Sequence, residues 1–339
     1  MLKPKSSQLS FYGDHIYDRV IPEDHFLKQL ERAVDFSFVA SLCHDAYNPD
    51  IGRPAYEPEM MFKILFLQFL YDISDRRIEE ELNLNLALKW FLGLAIDEYP
   101  PDATSLTRFR ERLGVKRFTA IFNQVVSMAR EQKLISNRLS IVDSTHVKAK
   151  VDTFKVQSNP DEVKDRDAKY GYKTGNKPFF GYKSHLSMDA DSELITKVET
   201  TPGNVYDGNV FKKVADDQAQ IVTADKAYDS RKNHRLLKKM RKKSAIIIKK
   251  NRKSKRLKKQ QAQAEIIGAQ HERPKIERKF AELKRFHGLA VARYWGLARM
   301  SIQNLMTVIT CNLKRMVKLI RAGKIYIPLK IPDGISMPV

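Results

Sequence analysis

Cysteine is scarce: Cys43 and Cys311 are the only two in 339 residues. Two thiols cannot build a disulfide framework or a zinc site made of cysteines. Long apolar runs are also missing. The longest, Met60–Tyr71, is too short to span a bilayer and contains Lys63 and Gln68. The opening segment, Met1–Asp14, is polar and lacks the apolar stretch of a secretory signal. Acid is short relative to base: 40 Asp and Glu stand against 61 Lys and Arg, a formal net charge of +21. That imbalance excludes an acidic-tail protein and makes a polyanion the leading partner class. The 42% of hydrophobic residues excludes wholesale disorder, and the length allows two domains with a well-buried core. The expectation is a soluble, intracellular, basic protein without a membrane partner.

The basic residues are concentrated in the second half. Residues 1–137 hold 17 Lys and Arg and 20 Asp and Glu, a net of −3, whereas residues 138–339 carry a net of +24. Within the latter, Lys226–Lys259 has 17 basic residues and one acid, Asp229. An isolated run of this kind reads as a solvated tail. This one contains Ala245–Ile248 and leucines 236 and 237, so it reads as ordered structure presenting a basic face, with Lys238, Lys239, Lys242 and Lys243 as candidate phosphate contacts. Such a face gains affinity by displacing counterions, and its binding is salt-sensitive.

The first 137 residues have helical period. Glu57–Tyr71 carries apolar residues at 60, 61, 64, 65, 67 and 69, with Pro58 suited to a first turn. Ser74 precedes a second helix, and Leu84–Leu92 follows after a short break, a pattern open to either a helix-turn-helix or ordinary capping chemistry. Thr104 or Ser105 is expected to cap a helix running to Leu113 that carries Arg108, Arg110 and Arg112; another covers Phe118–Lys133. The period changes near residue 137, where the domain boundary is placed. Arg138–Asp143 reads as a strand, Tyr182–Met188 and Glu193–Thr200 as a hairpin turning at Asp189–Asp191, Gln220–Asp225 as a buried strand and Ala245–Lys249 as another. Asn209–Val214, Arg231–Lys242, Lys275–Arg285 and Met300–Ile320 read as helices, the polar stretch 151–176 as a loop, and 326–339 as a tail. The fold class is therefore α/β, preceded by an all-α N-terminal domain.

Asp143 and Asp225 each end an apolar strand, where α/β folds place reactive groups. A single aspartate there can equally cap a helix or fix a turn; two, in so basic a chain, point to a site. Carboxylates brought together repel unless a cation neutralises them, and hard oxygen ligands suit Mg²⁺ or Mn²⁺. A two-metal site needs a third acid, with Glu265, Glu272, Glu277 and Glu282 as candidates. In Lys275–Arg285 the apolar stripe is Ile276, Phe280 and Leu283. Glu277 borders it, with Arg273 and Lys284 on the same face, while Glu282 lies about 140° round the helix. The competing reading is an ordinary amphipathic helix with an Arg–Glu pair.

These residues resemble a family. Arg273, Glu277 and Lys284 fit the Tyr-x2-Arg-x3-Glu-x6-Lys signature of bacterial insertion-sequence DDE transposases, with Gln270 at the tyrosine position. Asp143 in Ile-Val-Asp-Ser-Thr and Asp225 in Ala-Asp-Lys-Ala-Tyr-Asp-Ser resemble the family's two aspartates. Gly181-Tyr-Lys-Ser-His185, Thr201-Pro-Gly-Asn-Val-Tyr-Asp207, Gly288-Leu through Arg315, Ser74-Asp-Arg-Arg-Ile, Trp90-Phe-Leu-Gly-Leu and Thr104 through Leu113 resemble further segments, in the family's order. The resemblance implies an RNase H-like mixed-sheet catalytic domain over 138–325. It implies that Asp143, Asp225 and Glu277 are catalytic and bind two divalent ions, Mg²⁺ or Mn²⁺, per active site. It further implies cleavage at the inverted repeats of an insertion element and joining of the 3′-hydroxyl to target DNA, by a homo-oligomer on double-stranded DNA in the bacterial cytoplasm, at the nucleoid. Arg273 and Lys284 are candidate phosphate contacts, and Arg108, Arg110 and Arg112 candidate readers of the element's ends. Gln270 lacks the aromatic face on which a displaced base stacks; Tyr228 and Trp295 are the nearest aromatics that could replace it. A non-catalytic DNA-binding regulator and a nuclease that cuts without joining are the alternatives.

Overall fold

The computed structural model describes residues 11–48, 55–158, 163–172 and 177–326. Seven helices come first: α1 (Phe11–Val20), α2 (Phe26–Ala33), α3 (Ser37–Cys43), α4 (Pro58–Leu70), α5 (Asp75–Leu84), α6 (Leu86–Leu92) and α7 (Ala103–Glu131). Their ends follow local chemistry. The Ser74 hydroxyl accepts from the Arg77 amide, and the Asn85 side chain accepts from Ala87 and Leu88. The cap of α7 is Asp102, which accepts from the amides of Thr104 and Ser105, and not either of those residues. Hydrogen bonds from their hydroxyls and amides pull the Asp102 carboxyl down to about 2. Gly114, at φ +60° and ψ 178°, is non-helical and breaks α7, so this range holds the two helices expected here, one on each side of the glycine.

Six strands follow: β1 (Leu139–Lys148), β2 (Lys169–Tyr172), β3 (Pro178–Asp189), β4 (Ile195–Pro202), β5 (Ile221–Ala224) and β6 (Lys243–Ile246). They are joined by α8 (Thr153–Ser158), α9 (Asp207–Val214) and α10 (Arg231–Lys239). Then come α11 (Lys255–Gln261), α12 (Ala264–His271), α13 (Pro274–Phe286) and α14 (Leu297–Arg321). β6, β5 and β1 run parallel, and β3 lies antiparallel to β1. The outer edge of β3 is shared, with β2 along Pro178–Gly181 and β4 along Tyr182–Met188. Gly181 sits where these pairings meet at φ +153°; a Cβ there would overlap the Val147 carbonyl oxygen. This mixed sheet, with one reversed strand beside the parallel set, is the RNase H-like arrangement.

Two expectations are corrected. β1 does not end at Asp143: its pairing with β3 continues to Lys148↔Gly181, whereas its parallel pairing with β5 stops at Val142↔Ala224. The polar stretch 151–176 is not all loop, because it contains α8 and β2; residues 159–162 and 173–176 lie outside the described residues.

One sheet face packs under α9 and α10 through Val142, Val210, Phe211, Val222, Leu237 and Ile246. The other belongs to a larger core shared with the N-terminal helices and α14. Along α14, Met306, Ile309, Leu313 and Met316 are fully buried, each worth about 1.5–3 kcal/mol on transfer from water. Buried amides lock this helix in place. Asn312 exchanges two hydrogen bonds with the Ile195 backbone, at 2.9 and 2.8 Å, completing an edge strand whose polar groups would otherwise be orphaned. Both cysteines are buried, their thiols pushed up to about 11 by burial. Among the described residues no helix is long and apolar enough to cross a membrane.

Candidate active site

Val142 and Ala224 are the last parallel pair of β1 and β5, so Asp143 and Asp225 stand side by side one residue beyond it. Val142 and Ala224 both point into the layer beneath α9 and α10. Strand alternation therefore turns both aspartates to the opposite face, where α13 packs on β1. Arg273, the residue before the first turn of α13, reaches them: its Nη2 lies 3.7 Å from Asp143 Oδ2 and its Nη1 3.8 Å from Asp225 Oδ1. The pairing runs to the aspartates and not to Glu277.

Burial pushes the Asp143 carboxyl up to about 6. The neighbouring carboxylates of Asp225 and Asp207 add to this, and the Ser144 amide and Arg273 partly offset it. The folded carboxyl thus takes up a proton more readily than the unfolded one, whose ordinary value is 3.8. Stability is fully present below about pH 4 and falls as the pH rises through about 6, by at most about 3 kcal/mol. Asp143→Asn removes that loss. In metal-free urea titrations the variant should match the wild type at pH 4 and exceed it at pH 7.5; a difference independent of pH would show that the Asp143 carboxyl titrates normally.

A second set of polar contacts backs Asp143. The Ser144 amide donates to Asp143 Oδ1 at 2.8 Å, and the Ser144 hydroxyl donates to Asp207 Oδ2 at 2.9 Å. Lys183 Nζ donates to Asp207 Oδ1 at 2.9 Å and to the Val205 carbonyl at 3.0 Å. Ser144, Lys183 and Asp207 were not among the residues assigned to the site from sequence. Each lies in a segment that resembles the family, which was the available signal, but their convergence requires β3 and the start of α9 to meet β1.

Two hard-oxygen donors, side by side and already sharing one cationic group, fit a divalent ion in donor chemistry. Glu277 is exposed, one turn along α13 from Arg273. Among the described residues no three Asp, Glu, His or Cys side chains are close enough to hold an ion together. The structure thus gathers two of the three expected acids. Glu282 turns elsewhere, pairing with the buried Lys279 at 2.7 Å, whose Nζ lies 3.7 Å from Cys311 Sγ.

The other expected residues separate by burial. Arg110 is corrected: it is 6% exposed, forms a two-pronged ion pair with Asp75 and stacks on Tyr294 at 4.8 Å, so its guanidinium is consumed in packing α7 on α5. Arg108 and Arg112 are exposed, Arg112 lying over Tyr47 at 4.6 Å. Lys284 lines a cleft of about 640 Å³ with Lys150, Asp72 and Arg293. Lys238 and Lys239 are exposed in the last turn of α10, Lys242 follows it, and Lys243 opens β6 in a 2.7 Å pair with Glu265.

Asp229, the single acid of that basic segment, organises it. Burial alone would raise its carboxyl, but Arg252, the Lys249 amide and His234 outweigh burial and hold it below the ordinary range. Around this hub opens a cleft of about 720 Å³ lined by Arg231, Arg235, Lys249, Arg252 and Lys253. Gln270 is half-buried: its amide donates to the Ala245 carbonyl at 3.2 Å and to Gln261, tying α12 to β6. Tyr228 is completely buried and cannot serve as a stacking platform, whereas Trp295 is 46% exposed with Lys164 5.3 Å from its ring.

Residues 15–112 match the family described as Transposase domain (DUF772), and residues 136–313 the family described as Transposase DDE domain. Among solved structures, the cryo-EM structure of a piggyBac transposase synaptic complex with hairpin DNA is similar at 12% identity. The match covers 88% of this chain and 75% of that one, with a TM-score of 0.42, a likeness too slight to carry an argument.

Proposed function

Since this chain belongs to the DDE transposase family, we propose that it binds the terminal inverted repeats of an insertion element, nicks the DNA there and joins the freed 3′-hydroxyl to target DNA. The observation that carries this reading is the alignment of Asp143 and Asp225 at one level of neighbouring parallel strands, around a single cationic group. In this reading Asp143, Asp225 and Glu277 hold Mg²⁺ or Mn²⁺. The divalent ions, when bound, supply charge neutralisation and activation of water or a 3′-hydroxyl. The protein's own part is positioning, since phosphoryl transfer of this type needs no protein nucleophile. Ser144 and the Lys183–Asp207 pair fix the Asp143 carboxylate. Arg273 and Lys284 orient phosphates beside the cut, a fork and a point charge respectively. The basic surface of α10, β6 and α11 grips the DNA backbone, and Arg108 and Arg112 serve recognition of the ends. Two element ends call for two copies of the chain on the DNA, working at the nucleoid.

The test is incubation of the protein with Mg²⁺ and duplex DNA carrying the cognate ends, scoring nicked strands and joined products. Both products are expected. Nicks without joining would leave a nuclease, and binding without either would leave a regulator. Gln270→Ala loses two hydrogen bonds, to Ala245 and Gln261, and should cost about 1–3 kcal/mol of stability in urea titrations, with nicking in the assay above nearly unchanged. Loss of nicking in this variant would show that α12 holds a reacting group.

A further inference from the structure

Arg273 reaches both aspartates at once. Its two contacts, 3.7 and 3.8 Å, are too long for hydrogen bonds, so the pairing is one of charge alone. Its Nε is buried and has no acceptor. The side chain is only 16% exposed, so this donor is not compensated by bulk water. The aspartates are better satisfied elsewhere: Asp143 Oδ1 accepts from the Ser144 amide at 2.8 Å and Asp225 Oδ1 from the Lys226 amide at 2.6 Å. The guanidinium is thus held by attraction without the forked geometry it prefers. An anion offering two oxygens, such as a DNA phosphate, would satisfy it better.

We propose that Arg273 is a positioning residue that keeps the metal seat between Asp143 and Asp225 closed until a DNA phosphate draws its guanidinium away. The proposal rests on the reading that these aspartates hold divalent ions. A dication and a guanidinium between the same two carboxylates repel each other, so the two are alternatives. Phosphate capture of Arg273 removes the competitor. DNA therefore raises metal affinity, and by linkage metal raises DNA affinity by the same factor.

The experiment measures Mn²⁺ binding to the full chain by the electron paramagnetic resonance signal of free Mn²⁺, so that activity is not the readout. Without DNA, Arg273→Gln should bind Mn²⁺ about tenfold or more tightly than the wild type, within the usual range of such couplings. Arg273→Lys, which keeps the charge, should stay near the wild type. A short duplex should tighten Mn²⁺ binding to the wild type by a similar factor and leave Arg273→Gln unchanged, after subtracting the same titration with Asp143→Asn. Equal or weaker Mn²⁺ binding by Arg273→Gln, or no effect of DNA on the wild type, overturns the proposal while Asp143-dependent binding keeps the metal reading intact. The DNA comparison needs no variant at Arg273, so an absent DNA effect overturns the proposal even if that substitution unfolds the chain, while the loss of the DNA effect in Arg273→Gln separates release of Arg273 from direct ligation of the ion by phosphate. If Asp143→Asn changes Mn²⁺ binding in no condition, the aspartates do not hold metal and both readings fall.

Discussion

Asp225→Asn should lower metal-dependent nicking on the order of 10³-fold or more, with Asp143→Asn and Glu277→Gln falling as far, because each keeps the side-chain shape and removes a charge that neutralises the divalent ions. Binding to element ends, measured by gel shift without Mg²⁺, should change little. Asp143→Asn is the variant most expected to remain fully folded, since it removes a buried charge. Glu282→Gln is the control on α13. Its carboxylate pairs with Lys279 against α14, so its loss should appear as reduced stability and not as lost nicking. The contrast between positions 277 and 282 is the sharpest point. Glu277 is exposed and stands apart from the aspartates, and it joins them only if the metals, or DNA seated on Arg273, draw this turn of α13 inward. Near-normal nicking by Glu277→Gln would remove it from the site.

The second large effect concerns DNA affinity. Neutralising Lys238, Lys239, Lys242 and Lys243 together should weaken binding to any duplex roughly 10²-fold at low salt. It should also flatten the dependence of log affinity on log salt by about 3 to 4 units, near 0.9 for each phosphate no longer neutralised. Lys243 should contribute least, because Glu265 already pairs with it. Neutralising Arg108 and Arg112 should instead reduce the preference for cognate ends over random DNA, while Arg110→Ala should destabilise the fold, since it strands Asp75 in a half-buried pair. If the lysine set and the arginine pair weakened cognate and random DNA alike, the division between grip and recognition would be wrong.

Much of this arrangement was legible in the order of residues. Apolar period located α4, α7 and α14, and Pro58 and Ser74 marked helix starts, since both act within a few residues of themselves. The hairpin at Asp189–Asp191 was equally local: the Asp189 side chain accepts from the Ser192 amide, closing its own turn. Asp143 and Asp225 stood out because short apolar runs lead into them. The net charges of −3 and +24 on the two halves made nucleic acid the partner to consider.

What sequence could not supply was everything that depends on partners distant along the chain. β1 runs past Asp143 because β3 pairs with it to Gly181, a pairing invisible in the residues of β1. Arg108, Arg110 and Arg112 look alike in sequence, yet Arg110 faces Asp75 and Tyr294 and is spent on packing. Tyr228 and Trp295 likewise diverge, one sealed beneath α9 and the other open to solvent. The sequence alone determined most of the helices and strands, the two aspartates that end up side by side and the excess of basic charge, because these follow from local period, composition and spacing. Tertiary structure decided that Arg273 bridges the aspartates, that Ser144 and the Lys183–Asp207 pair stand behind Asp143, and that Glu277 is exposed a turn of α13 away from Arg273. Charge interactions act over a few ångströms of space, and only the folded sheet brings residues 143, 183, 207, 225 and 273 within that reach.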